Sequence, residues 1–233
     1  MNICIESCLL NHPLRSGVLT YTEGLVYGIN RIDKDNHYRL IYYSLKRKPQ
    51  DMPGPENTNF TKTVLRIPDR DFPGRQTILN NIYLPAYFKK HKIDVFHRPS
   101  GYCMPNVKGV YTILTVHDLR TLTIGDSYSK QGIDHYKRTL AGIDCCVVVS
   151  ECTKRDLIEH LGMREEKIKV VYLGADQRYR VIDNGKVSQI KEKFNITKPY
   201  LLSVGSVPRK NIDGIIKGFS RCKYKNNFQL VLN

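Results

Sequence analysis

"CCVVVSECTKRDLIEHLGMREEKIKVVYLGAD", Cys145 to Asp176, contains a whole strand, helix and strand in order. Its first run, "CCVVVS", is continuously apolar, as a strand covered on both faces must be. Ser150 then stands where a helix needs a hydroxyl cap, and Gly162 stands where it needs a left-handed stop. Between them Leu157, Ile158 and Leu161 recur at helical spacing and are expected to face inward. "KIKVVYL" follows as the next strand. A strand, a crossover helix and a second strand imply a right-handed unit in a parallel sheet.

The same alternation extends to both sides. "NICIESC", "YRLIYYS", "TKTVLRIP", "DVFHRP" and "YTILTVHD" read as earlier strands, and "YLLSVGS" and "FQLVLN" as later ones. "VLTYTEGLVYGINRI" is expected to bury Leu25, Val26, Ile29 and Ile32. "RQTILNNIYLPAYFKKHK" is expected to bury Ile78, Leu79, Ile82 and Tyr83, with a bend at Pro85. After "VVYLGAD" the chain turns polar, with one short helix predicted over 186–194. The expected division is therefore residues 1–176 as a Rossmann-like domain, 177–198 as a connecting segment and 199–233 as the start of a second, incomplete domain.

The 233 residues are 41% apolar, enough for an ordinary core, and carry a formal charge of +15. That charge attracts polyanions without choosing among nucleic acid, anionic lipid and phosphorylated substrates. No nucleic-acid recognition motif or aromatic stacking platform accompanies it, so nucleic acid is not expected as a partner. Seven cysteines form no C-x-x-C pair and are expected to be reduced thiols. No stretch reads as a signal peptide or as eighteen consecutive apolar residues, so a cytoplasmic chain is expected.

Ligands of open α/β sheets bind beyond the carboxyl ends of the strands. That rule selects Gly17 after the first strand, His97 after the fourth, and His117 with Asp118 after the fifth. A histidine beside a carboxylate suits hydrogen bonding to a sugar hydroxyl or proton transfer, and a buried structural histidine is the alternative. Arg209 and Lys210 stand at the start of the helix after "LLSVGS". Cations oppose a helix dipole there, which makes sense if an anion such as a diphosphate comes to sit on them. "PDRDFP" holds Asp69, Arg70 and Asp71 between prolines and reads as a turn, so no metal site is expected.

"SGVLTYTEGL", "DVFHRPSGYCMPNVKG" before "ILTVHDL", "VVVSECTKRDLIEHLGMREEKIKVVYLGAD" and "YLLSVGSVPRKNIDGIIKGF" together run from Ser16 to Phe219. In that order they resemble the N-terminal lobe and the start of the C-terminal lobe of retaining GT-B glycosyltransferases of family four. Leu19 stands where many members have a second glycine, and Ser206 where some carry a basic residue. The resemblance implies two Rossmann-like lobes, with the acceptor mostly on the first and a nucleotide-diphosphate sugar mostly on the second. It places His117 and Asp118 as catalytic residues and Gly17, Gly205, Ser206, Arg209 and Lys210 at the donor. Ser16, Val18 and His97 fall on the acceptor side, and no metal or other cofactor is implied.

The implied activity is transfer of a hexose, mannose among the possibilities, to a glycan or lipid-linked acceptor in cell-surface polysaccharide synthesis. Docking on an anionic membrane surface from the cytoplasmic side is a further expectation. The rivals are a nucleotide-sugar epimerase of the same architecture and a non-catalytic basic binding module. The family's paired glutamates lie later than Asn233, so this chain alone is expected to be inactive.

Overall fold

A computed structural model describes residues 1–68, 72–101, 103–119, 130–176, 178–205 and 210–233. It divides into two compact units, Met1–Gly174 and Ala175–Asn233.

In the first unit seven strands form one parallel sheet: β1 (Asn2–Glu6), β2 (His37–Tyr43), β3 (Phe60–Leu65), β4 (Val95–Arg98), β5 (Tyr111–Val116), β6 (Cys145–Val148) and β7 (Ile168–Val170). Their order is β3-β2-β1-β4-β5-β6-β7. The chain winds outward one way from β1 and the other way from β4, so a crevice opens between the carboxyl ends of those two strands.

Successive strand residues point to opposite faces and feed separate cores. Cys4, Ile41 and Phe96 join one cluster, while their neighbours Ile5, Leu40 and Tyr42 join another. The second of these is closed by Val26 of α1 (Gly17–Ile32). That helix buries Leu19, Thr22 and Val26, with Leu25 and Ile29 half-buried. Ile32, expected inward, is 85% exposed because the helix ends there and Asp33 caps it in extended backbone.

The first cluster is closed by α2 (Arg75–Ile78), a π turn (Leu79–Tyr83) and α3 (Leu84–His91), which run on from one another. Here the expected inner face is wrong. Leu79 is buried, but Ile78 and Tyr83 are exposed and Ile82 is 61% exposed, while Leu84, Tyr87 and Phe88 pack inside. The π turn adds one residue, so Leu84 falls in line with Leu79 five positions on instead of four. Each residue turns a helix by about 100°, and that single insertion moves the whole apolar stripe. The wider turn also accommodates Pro85, whose ring would crowd the carbonyl four residues back.

On the other side of the sheet centre, β5, β6 and β7 pack with α4 (Lys130–Gly142) and α5 (Glu151–Leu161) through Leu114, Val148, Tyr136, Leu140, Leu157 and Leu161. The sequence reading did not anticipate α4. For α5 it matches: the Ser150 hydroxyl accepts from the Thr153 N–H at 3.1 Å, and Gly162 is left-handed at φ 65°.

The second unit contains α6 (Asn184–Lys193), β8 (Tyr200–Ser203), α7 (Ile212–Arg221) and β9 (Gln229–Leu232), with β8 and β9 parallel. No described residue of this unit is buried, and Leu201 and Leu202 of β8 are more than half exposed. Among the described residues no helix is long and apolar enough to cross a membrane.

Thr153, oriented from the capped turn of α5, donates its hydroxyl to the carbonyl of His117 at 3.2 Å. Replacing Ser150 by alanine removes the cap and is expected to cost about 1 kcal/mol in urea unfolding, against a near-zero effect for the exposed Glu159→Ala.

Candidate functional site

Glu6 closes β1 and Arg98 closes β4, one step beyond the paired Ile5 and His97. Both side chains turn into the crevice end of the sheet and meet. Arg98 donates from Nε to Glu6 Oε2 at 2.6 Å and from Nη2 to Glu6 Oε1 at 3.3 Å. Nη2 also donates to Asn80 Oδ1 at 3.2 Å, and Nη1 to the Cys103 carbonyl. The Tyr43 hydroxyl donates to Glu6 Oε1 at 2.6 Å. Burial alone would push the Arg98 pKa down, but the Glu6 carboxylate outweighs it and holds the guanidinium firmly charged. Burial first and Glu6 second push the Tyr43 phenol up, so it stays a neutral donor.

Glu6, Asn80, Arg98 and Cys103 floor a cleft of about 510 Å³, within the usual range of small-molecule sites. Gln76, Thr77 and Asn81 line one wall and His135 and Thr139 of α4 another. Gly101, at φ 126°, lies against the Arg98 side chain, where a Cβ would stand 3.4 Å from Cδ.

Beside the cleft a second network joins β4, β5 and α1. His97 Nε2 lies 2.8 Å from Thr115 Oγ1, and the Tyr21 hydroxyl lies 3.1 Å from the same oxygen. Burial lowers the His97 pKa from 6.5 to about 4, so its imidazole is neutral. The Tyr21 ring stands edge-on to His117, with ring centroids 4.8 Å apart. His117 Nε2 is 2.9 Å from the Pro99 carbonyl oxygen, which can only accept. Nε2 therefore carries the proton, and Nδ1 is the nitrogen with a lone pair when the ring is neutral.

Of the residues singled out in the sequence, Ser16 is the cap of α1, its hydroxyl accepting from the Leu19 N–H at 3.1 Å. Gly17 begins the helix in the open, where a Cβ would meet no atom within 4 Å, and Val18 follows half-buried. Leu19 is core, which accounts for a leucine where close backbone approach would need glycine. Tyr21 thus links the helix that starts at Ser16 to His97 and His117, while Asp118 is exposed at the strand end. In the second unit Gly205, at φ 101°, carries the stem of Lys210 across it, and Lys210 immediately precedes Asn211, the left-handed cap of α7. Ser206, Arg209 and the stretch Asp69 to Asp71, expected to be a turn, lie outside the described residues. Among the described residues no cluster of three or more metal-ligating side chains occurs.

The sequence reading missed Glu6, Asn80, Arg98 and His135. For two of them a signal was present: an ionisable residue ends each of the apolar runs "NICIE" and "VFHR", and adjacent parallel strands bring such ends together.

The sequence model of Glycosyltransferase Family 4 matches residues 27–179. The chain belongs to this family. Among solved structures, HepE of Anabaena in complex with UDP-glucose is similar over 100% of this chain and 60% of its own, at 12% identity and a TM-score of 0.67. A glycosyltransferase from Rickettsia africae is similar over 100% of this chain and 68% of its own, at 17% identity and a TM-score of 0.59. UDP-GlcNAc 2-epimerase from Methanocaldococcus jannaschii is similar over 100% of this chain and 65% of its own, at 14% identity and a TM-score of 0.54. These likenesses share the GT-B fold of the family. The chain spans 60% of the HepE length. No curated protein matches the sequence.

A pH dependence follows from His97. Between pH 6.5 and about 4 the unfolded chain binds a proton that the folded His97 refuses, so stability present above pH 6.5 declines as the pH falls. The full effect is about 3 kcal/mol. His97→Gln is expected to flatten that part of the profile in urea unfolding at pH 7, 5.5 and 4.5.

Proposed function

We propose that this family member transfers a hexose from a nucleoside-diphosphate sugar to a glycan or lipid-linked acceptor, with retention at the anomeric carbon. The observation that carries this reading is the arrangement of His117: its Nε2 proton is committed to Pro99, which leaves Nδ1 to accept from a sugar hydroxyl beside the open start of α1. HepE, solved with UDP-glucose, supplies the analogy for the donor class.

In this reading the acceptor lies on the first unit, near Ser16, Val18 and His97, with His117 and Asp118 facing the transferred sugar. On the second unit, the Gly205 to Lys210 segment is the part that receives the diphosphate. As the anomeric bond breaks, the diphosphate takes its electron pair, and the cations at 209 and 210 stabilise that charge while the acceptor oxygen bonds the anomeric carbon from the same face. The acceptor hydroxyl proton leaves with the departing phosphate oxygen. Metal is not required for these steps. The site of action is the cytoplasmic side of a membrane, where cell-surface polysaccharide precursors are built.

Thermal unfolding in millimolar UDP and GDP tests the donor side. A nucleotide present at ten times its Kd stabilises by about 1.4 kcal/mol, a rise of a few degrees in Tm. The Arg209→Ala, Lys210→Ala double variant is expected to abolish the rise, and an unchanged rise in that variant would remove the cation assignment. Turnover of a UDP-sugar in the absence of any acceptor would favour the epimerase chemistry instead.

A further inference from the structure

The charge of the chain suggests an anionic acceptor, and the floor of the cleft holds an arginine. The hydrogen bonds point the other way. A guanidinium has five N–H donors. In Arg98, Nε serves Glu6, Nη2 serves Glu6 and Asn80, and Nη1 serves the carbonyl and the sulfur of Cys103. All five are taken, and the Glu6 carboxylate cancels the charge at 2.6 Å. Among the twelve described residues that line the cleft Arg98 is the sole lysine or arginine.

Apart from His135, the described groups that remain for a ligand are amides and hydroxyls. Asn80 must turn Oδ1 to Arg98, because arginine only donates, and this leaves its amide N–H groups for a guest. The Cys103 thiol donates to Gln76 Oε1 at 3.7 Å, which orients Gln76 the same way. Asn81, Ser100 and Thr139 add an amide and two hydroxyls. The π turn is what permits this wall: it lets Gln76, Asn80 and Asn81 face the cleft while Leu84 and Phe88, a few residues on, face the core.

We propose that the cleft between β1 and β4 selects an uncharged, hydroxyl-rich saccharide unit, with Arg98 acting as a prop for the wall and its pairing with Glu6 leaving no lysine or arginine charge, among the described lining residues, for phosphorylated or carboxylated sugars. The inference deepens the transferase reading, since it names the acceptor class for that same site. A sugar hydroxyl gains hydrogen bonds from the amides without desolvating a charge, whereas a phosphate would lose its hydration and find no unpaired lysine or arginine among the described lining residues.

Side-chain amide signals of Gln76, Asn80 and Asn81 are directly visible in nitrogen-edited NMR of the 233-residue chain. The probes are the methyl glycosides of glucose, galactose, mannose and N-acetylglucosamine, titrated beside glucose 6-phosphate and mannose 6-phosphate. At least one neutral glycoside is expected to shift these signals at millimolar concentration, with the phosphates at least fivefold weaker. The exposed double variant Gln76→Ala, Asn81→Ala is expected to keep the fold and lose the response at least fivefold. Glu6→Gln strips the counter-charge from Arg98 and is expected to raise hexose 6-phosphate binding at least fivefold. Tighter binding of the phosphates to the unmodified protein, or no response to any neutral glycoside, would overturn the proposal. A missing response to UDP with the saccharide shifts intact removes the transferase reading and leaves this one standing.

Discussion

The ion pair of Glu6 and Arg98 is the constraint around which the first unit is organised. It joins the ends of β1 and β4, reaches β2 through Tyr43 and the π turn through Asn80, and ties down the loop at Cys103. Removing two charges from water costs several kcal/mol each, and the pair persists only because nearly every donor and acceptor is matched. A pair of this kind contributes little net stability against an apolar replacement. Its effect is to fix five segments in one register at the one place where the sheet order reverses.

That position follows from topology. A parallel sheet wound outward in two directions leaves no crossover above β1 and β4, so side chains at those two strand ends meet in a crevice and must satisfy each other or a ligand. Glu6 and Arg98 satisfy each other. The groups around them, amides and hydroxyls on the π turn and α4, stay available. His97 and His117 show the same partition one strand along: the first is buried and neutral against Thr115, and the second is half-exposed with one nitrogen committed.

The alternation of strand and helix was legible because period-two and period-3.6 patterns, a serine cap and a left-handed glycine are local signals, as at Ser150 to Gly162. The strand-end histidines were legible for the same reason. The inner face of the helix from Arg75 was not, because one inserted residue rotates everything after it and leaves no mark in composition. Pro85 was read as a bend, and the structure places it directly after the π turn. Glu6 and Arg98 are 92 residues apart in sequence, and their pairing depends on β1 and β4 being neighbours, which periodicity does not reveal. The helix Lys130–Gly142 carries a short apolar stripe, Ile133, Tyr136 and Leu140, that the sequence reading passed over and that packs in the cluster with β5 and β6.

The distribution of charge bears on what the two units handle. Residues 175–233 hold 12 of the lysines and arginines against 4 aspartates and glutamates, a denser excess than the chain average. The cleft of the first unit, in contrast, neutralises its arginine internally. A net charge of +15 therefore says little about the ligand of any one site, because surface cations act over a Debye length of about 8 Å while a buried pair acts on what touches it. Polyanion attraction is a property of the surface, strongest in the second unit. In the cleft, the described groups that the Glu6 and Arg98 pair leaves free are, apart from His135, amides and hydroxyls.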